Sequence, residues 1–128
     1  MEILEQFVPY EESLELKLLG FNEKCLGYHN FVYEAWRFGF KVHHDALKHI
    51  SAPLWQQAFD FFTDKGLHSY IEGSYLCFRY CINTGDNRYV SFRYVKLKEA
   101  RLECLRKLIE IVKEKENVKY KIQRLVQN

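Results

Sequence analysis

No apolar run in this 128-residue chain approaches the ~20 residues that a membrane span needs, so no membrane partner is expected. The opening segment, Met1-Glu2-Ile3-Leu4-Glu5-Gln6, is acidic where a secretion signal is basic, and a cytoplasmic protein is expected. Neither glycine-rich phosphate-cradling signature occurs, the dinucleotide fingerprint or the Walker-type loop. There is no GxSxG turn to present a serine nucleophile. Internal repeats, low-complexity tracts and long linkers are missing as well, which predicts one domain over residues 1–116. A basic amphipathic extension, 117–128, follows it.

The chain also lacks the cysteine spacing of a metal site. It has four cysteines and no CxxC. If Cys77 and Cys81 share a strand, four residues at ~3.3 Å each hold their Cα atoms about 13 Å apart. Two thiolates on one zinc need far less, each Zn–S bond being ~2.3 Å. Four reduced, free thiols are expected, as is usual for a cytoplasmic protein. No cysteine has a sequence neighbourhood that would lower its pKa. His43, His44 and His49 read as solvated loop histidines. No catalytic residue, cofactor, metal or small-molecule substrate is therefore expected, and the protein reads as non-enzymatic.

What the chain has in abundance is aromatic residues: ten Phe, nine Tyr and two Trp. That is more large rings than a small core needs, so some are expected at the surface. Their rhythm changes near Tyr94. Leu76, Phe78, Tyr80 and Ile82, then Val90, Phe92 and Tyr94, recur in steps of two. Ala100, Cys104, Leu108 and Ile111 recur in helical steps. The first period builds a half-buried strand and the second an amphipathic helix.

Pro9, Glu11 and Glu12 open a helix over Tyr10–Leu19, with Gly20 as its C-cap. The aromatic and β-branched run from Cys25 to Val42 predicts a two-stranded hairpin. His43 to Ile50 reads as a loop. Ser51-Ala52-Pro53 announces a second helix, on which Trp55, Ala58, Phe59 and Phe62 form a core stripe. Strands follow over Leu67–Glu72, Tyr75–Asn83 and Arg88–Tyr94, then a last helix from Leu97 into Lys115. The predicted class is α+β: an antiparallel sheet of about 4–5 strands with helices packed mainly on one face. Trp55, Phe59, Phe62, Leu105 and Leu108 are the expected core, over a sheet face carrying Phe78, Tyr80 and Phe92.

The net charge of +2 is unevenly spread, with −4 over residues 1–24 and +5 over residues 96–128. Such asymmetry suits either two solvated helix faces of opposite sign or a basic docking face. Lys96, Lys98, Lys119, Lys121 and Arg124 are the residues expected to contact a nucleic acid or a partner.

From Pro53 to Val112 the order is helix, three strands, helix, and Val95-Lys96-Leu97-Lys98-Glu99-Ala100 supplies a basic start to the last helix. This layout is similar to a double-stranded RNA-binding domain, a resemblance that implies phosphate contacts at Lys96 and Lys98. The family's Gly-Pro-x-His turn is replaced here by Glu72-Gly73-Ser74-Tyr75. A second resemblance rests on Phe7-Val8-Pro9-Tyr10-Glu11, Leu19-Gly20-Phe21, Ser51 through Phe59, and Glu99-Ala100 with Cys104 through Lys113. These segments resemble a group of small uncharacterised proteins common in gut Bacteroidales genomes and in their phages and mobile elements. That likeness implies a bacterial or phage accessory protein and carries no functional residue. The expected function is binding to another protein or self-association. RNA or DNA binding is the alternative, and an enzyme of unseen type comes third.

Overall fold

The computed structural model describes residues 6–23, 25–30, 35–41 and 49–127, with 28–30, 35–41, 49–51 and 118–127 described by backbone alone. The element order is α1 (Tyr10–Leu18), β1 (Cys25–Asn30), β2 (Ala35–Lys41), β3 (His49–Ala52), α2 (Trp55–Thr63), β4 (His68–Ser74), β5 (Cys77–Asn83), β6 (Arg88–Val90) and α3 (Leu97–Gln127). The class is α+β, as the periodicities predict. The strands do not form one sheet of four or five. Among the described residues they form two antiparallel sheets of three, ordered β2-β1-β3 and β4-β5-β6. The chain correspondingly packs as two compact units, Met1–Gly66 and Leu67–Asn128.

In the first unit, α1 ends in a Schellman motif. The Phe21 N–H donates to the Leu16 carbonyl at 2.9 Å and the Gly20 N–H to that of Lys17 at 3.0 Å. The motif needs a left-handed residue, and Gly20 supplies it at φ +102°. Leu16 and Phe21 are both buried. The segment before α1 is tied to the start of α2. Val8 N–H bonds the Pro53 carbonyl at 2.8 Å, and Phe7 bridges Leu54. The Leu54 N–H is satisfied by Gln57 Oε1 at 3.0 Å, a reach-back that fixes the first turn of α2.

Strand β3 corrects the loop reading of His43–Ile50 at its end. His49–Ala52 pairs along the free side of β1, from Asn30↔His49 to Gly27↔Ala52. Four residues show no usable period of their own, and the partner lies about 20 residues back in the chain, so local pattern could not reveal it. Residues 43 and 44 lie outside the described residues. Phe62 is fully buried, edge-on to Phe61 at 5.2 Å, and Phe61 meets Phe21 the same way at 5.6 Å. Trp55 and Phe59 are only half-buried, with their rings stacked at 6.3 Å.

In the second unit, β4 and β5 pair in unbroken register from His68↔Asn83 to Ser74↔Cys77. The face carrying Ser69, Ile71, Tyr80, Ile82 and Tyr89 is the one that α3 covers. Ser69 hydrogen-bonds Cys104, and Lys107 Nζ lies 5.1 Å from the Tyr89 ring centre. Ala100, Cys104, Leu105, Leu108, Ile111 and Val112 form the buried stripe of the helix. Residues 117–127 continue α3 without a break.

Phe92, also expected in the core, is 88% exposed. The reason is the register of β6, which puts Val90 and Phe92 in step with Cys81 and Arg79 on the face away from α3. Ile82 pairs with Tyr89 and Cys81 with Val90, and Ser91 N–H bonds the Tyr80 carbonyl at 3.0 Å. Regular pairing would then place Arg93 opposite Phe78, yet Phe78 is bridged by Tyr94. The extra residue is a β-bulge. Ser91 Oγ fills the gap by accepting the Tyr80 N–H at 2.9 Å. Val90, Phe92 and Tyr94 look like one alternating series, but the register puts Val90 and Phe92 off the covered face, and the bulge beyond them brings Tyr94 onto it.

Phe62→Ala should cost about 3–5 kcal/mol in chemical denaturation, and Phe59→Ala clearly less, because only Phe62 is fully enclosed. A second expectation concerns alkaline pH. Burial pushes the Cys104 thiol from its ordinary 9.0 up to about 12 and the Tyr80 hydroxyl from 10.0 up to about 12. Both groups stay protonated in the folded chain where the unfolded chain would lose the proton. Their contribution is complete below pH 9.0 and is lost as pH rises towards about 12. Folding free energy should therefore fall through that window. Cys104→Ala should flatten the slope by up to about 1.4 kcal/mol per pH unit.

Candidate functional site

The β4–β5 turn and the segment after the bulge meet on the face of the second sheet opposite α3. Cys77, Arg79, Glu72 and Ser74 belong to this outer face through strand alternation. Arg93 joins them because the bulge releases it from the ladder. Together with Gly73 and Phe78 they line a pocket of about 300 Å³. Gly73 leaves room for the Phe78 ring, since a Cβ there would lie 3.2 Å from it.

Cys77 Sγ lies 3.0 Å from Ser74 Oγ and accepts a hydrogen bond from Arg93 Nη1 at 3.5 Å. Arg79 is held by its neighbour across the ladder, its Nε donating to Glu72 Oε2 at 2.6 Å. The Ser74 hydrogen bond, then that of Arg93, holds the Cys77 thiol below its ordinary value. The positive charges of Arg93 and Arg79 act in the same sense, and slight burial opposes them. All four cysteines are free thiols, and Cys25, Cys81 and Cys104 are buried. Cys77 is thus the one thiol that combines access to solvent with stabilisation of its thiolate, the form that acts as nucleophile.

This corrects the expectation that no cysteine has a pKa-lowering neighbourhood. Ser74 is close in sequence, but Arg93 is 16 residues away and reaches Cys77 only through the bulge. The cysteine spacing offers no signal for it. Among the described residues, no group of three or more His, Cys, Asp or Glu side chains is placed to hold a metal ion.

The basic residues singled out by sequence lie elsewhere. Lys96 precedes α3 and Lys98 stands in its first turn, both exposed. Lys119, Lys121 and Arg124 lie on the last turns of the same helix, where only the backbone is described. At 1.5 Å per residue, Lys98 and Lys119 are about 30 Å apart along the helix axis. The two groups do not form one compact basic cluster.

Around the pocket stand exposed apolar side chains. Tyr75 and Leu76 occupy the β4–β5 turn, and Phe92 and Val95 flank the Phe78–Tyr94 bridge. That bridge has two short hydrogen bonds, Phe78 N–H to Tyr94 O at 2.7 Å and Tyr94 N–H to Phe78 O at 2.6 Å.

Comparison with protein-family models, with curated proteins and with solved structures gives no match.

The Cys77 environment has a measurable consequence. Alkylation by iodoacetamide requires the thiolate, so its rate rises with pH to a plateau. For Cys77 the midpoint should lie below that of an unstructured cysteine peptide measured alongside. Ser74→Ala should move it back up, since the largest thiolate-stabilising contact is then gone.

Proposed function

We propose that the protein is a non-enzymatic binding protein, and that its docking face is the turn end of the second sheet. The observation that supports this is the exposure of four large apolar side chains there: Tyr75 at 95%, Phe92 at 88%, Val95 at 77% and Leu76 at 74%. An aromatic side chain carries roughly 150–250 Å² of surface. Two nearly bare rings plus two aliphatic side chains therefore bring this end to the upper range of what monomers ordinarily expose, about 300–600 Å². The bulge at Ser91 disfavours addition of a further strand at the edge, as such irregularities do. Recognition would then rely on side chains rather than on backbone pairing.

The charges beside the patch indicate the partner's chemistry. Arg93, Lys96 and Lys98 are all exposed there, and Arg79 is already matched by Glu72. A segment with acidic and large apolar side chains suits this surface. Charges at the rim tune encounter rate and choice of partner, while the rings contribute most of the affinity. An accessory role in a bacterial or phage cytoplasm is compatible with such a surface.

Panning a random displayed-peptide library against the whole protein tests this reading. Enriched peptides should combine Asp or Glu with aromatic or aliphatic residues, and Tyr75→Ser with Phe92→Ser should weaken their binding at least about tenfold. No enrichment, or enrichment indifferent to the double variant, would refute it. The nucleic-acid alternative, with Lys96 and Lys98 on phosphates, is distinguished by titration with duplex RNA and DNA. Affinity there should fall steeply as salt is raised.

A further inference from the structure

The pocket at Cys77 has a property that docking does not require. It joins the one accessible thiol to an exposed guanidinium. Cys25 and Cys104 are 1% exposed and Cys81 is 0% exposed, so three of the four thiols are closed to reagents in the folded chain. The pocket's volume, about 300 Å³, is at the lower end of small-molecule sites, which run roughly 300–1,000 Å³. Arg93 uses Nη1 towards Cys77. A guanidinium has five N–H donors in a fixed fork that matches a carboxylate, so this contact leaves donors to spare. Arg79 is engaged by Glu72, and the two largely cancel in charge. The cation that an entering anion meets is therefore Arg93.

We propose that this pocket is an S-thiolation site, in which Cys77 exchanges with small disulfides that carry carboxylates and Arg93 holds one of those carboxylates. The Cys77 thiolate attacks one sulfur of the disulfide. Its electron pair forms the new S–S bond as the old one breaks, and the departing half leaves with the other pair as a thiolate. The disulfide is the oxidant: one half ends as the mixed disulfide on Cys77 and the other is reduced and released. Ser74 Oγ, 3.0 Å from Sγ, can donate to the attacking thiolate. The mixed disulfide would stand beside the β4–β5 turn that carries Tyr75 and Leu76. The chemistry itself is independent of whether that rim docks a partner.

Oxidised glutathione, which is anionic, and cystamine, which is cationic, serve as probes on the whole protein under non-denaturing conditions at low salt. Each rate is divided by that of the same disulfide with a simple thiol, which removes intrinsic reactivity. Intact mass should show one glutathione adduct per chain, and peptide mapping should place it on Cys77. The corrected rate should favour glutathione by about tenfold, the effect of one nearby cation on charges of opposite sign in water. Arg93→Gln should bring the ratio close to one, and raising salt should shrink it in the native protein without any substitution. Cys77→Ser should abolish the adduct. An adduct that survives Cys77→Ser would overturn the site. A ratio unmoved by both salt and Arg93→Gln would overturn the role of the carboxylate.

Discussion

The second unit depends on a one-residue bulge between Ser91 and Tyr94. A regular antiparallel ladder keeps the sum of paired residue numbers constant, and here that sum rises by one between the Tyr80–Ser91 and Phe78–Tyr94 positions. The extra residue would leave the Tyr80 N–H without its partner, and an unpaired buried N–H is costly. Ser91 Oγ accepts that hydrogen and then donates to the Phe92 carbonyl at 2.6 Å. One hydroxyl thus replaces the missing ladder contact and shapes the turn that follows. Tyr94 is delivered to the covered face, and Arg93 arrives beside Cys77.

The two faces of the same sheet are chemically opposite as a result. Towards α3 lie Ser69, Ile71, Tyr80, Ile82 and Tyr89, under the buried stripe from Ala100 to Val112. Burial there keeps the Tyr80 hydroxyl and Cys104 thiol protonated to about 12. On the outer face the thiol of Cys77 is shifted the other way, by hydrogen bonds and cations. Two cysteines of one unit, Cys77 and Cys104, therefore differ in reactivity for a physical reason. One thiolate would be created without solvation, and the other is solvated and hydrogen-bonded.

The apolar rim and the thiol pocket share their supports. Gly73 lets the Phe78 ring lie close against β4, and Phe78 pairs with Tyr94, the residue after Arg93. A protein docked on Tyr75, Leu76 and Val95 would cover the pocket. A modification on Cys77 would alter the surface offered to that protein.

Much of the local structure was legible in the sequence. Pro9 and Gly20 bound α1, Phe62 and Leu108 lie on buried helical stripes, and β5 ends before its turn signal at Thr84-Gly85, whereas the signal at Gly73-Ser74 falls two residues early: both pair within β4 and the turn is Tyr75-Leu76. These features are set by near neighbours, whose periods and φ preferences are written in the chain. The division of the described strands into two sheets was not legible, nor was β3, nor the register that puts Val90 and Phe92 off the covered face. Each depends on a pairing between distant residues, whose register decides which side chains face the helix. The candidate site belongs to this second kind. Cys77 and Arg93 become neighbours through the ladder, so their joint chemistry was decided by the tertiary structure alone.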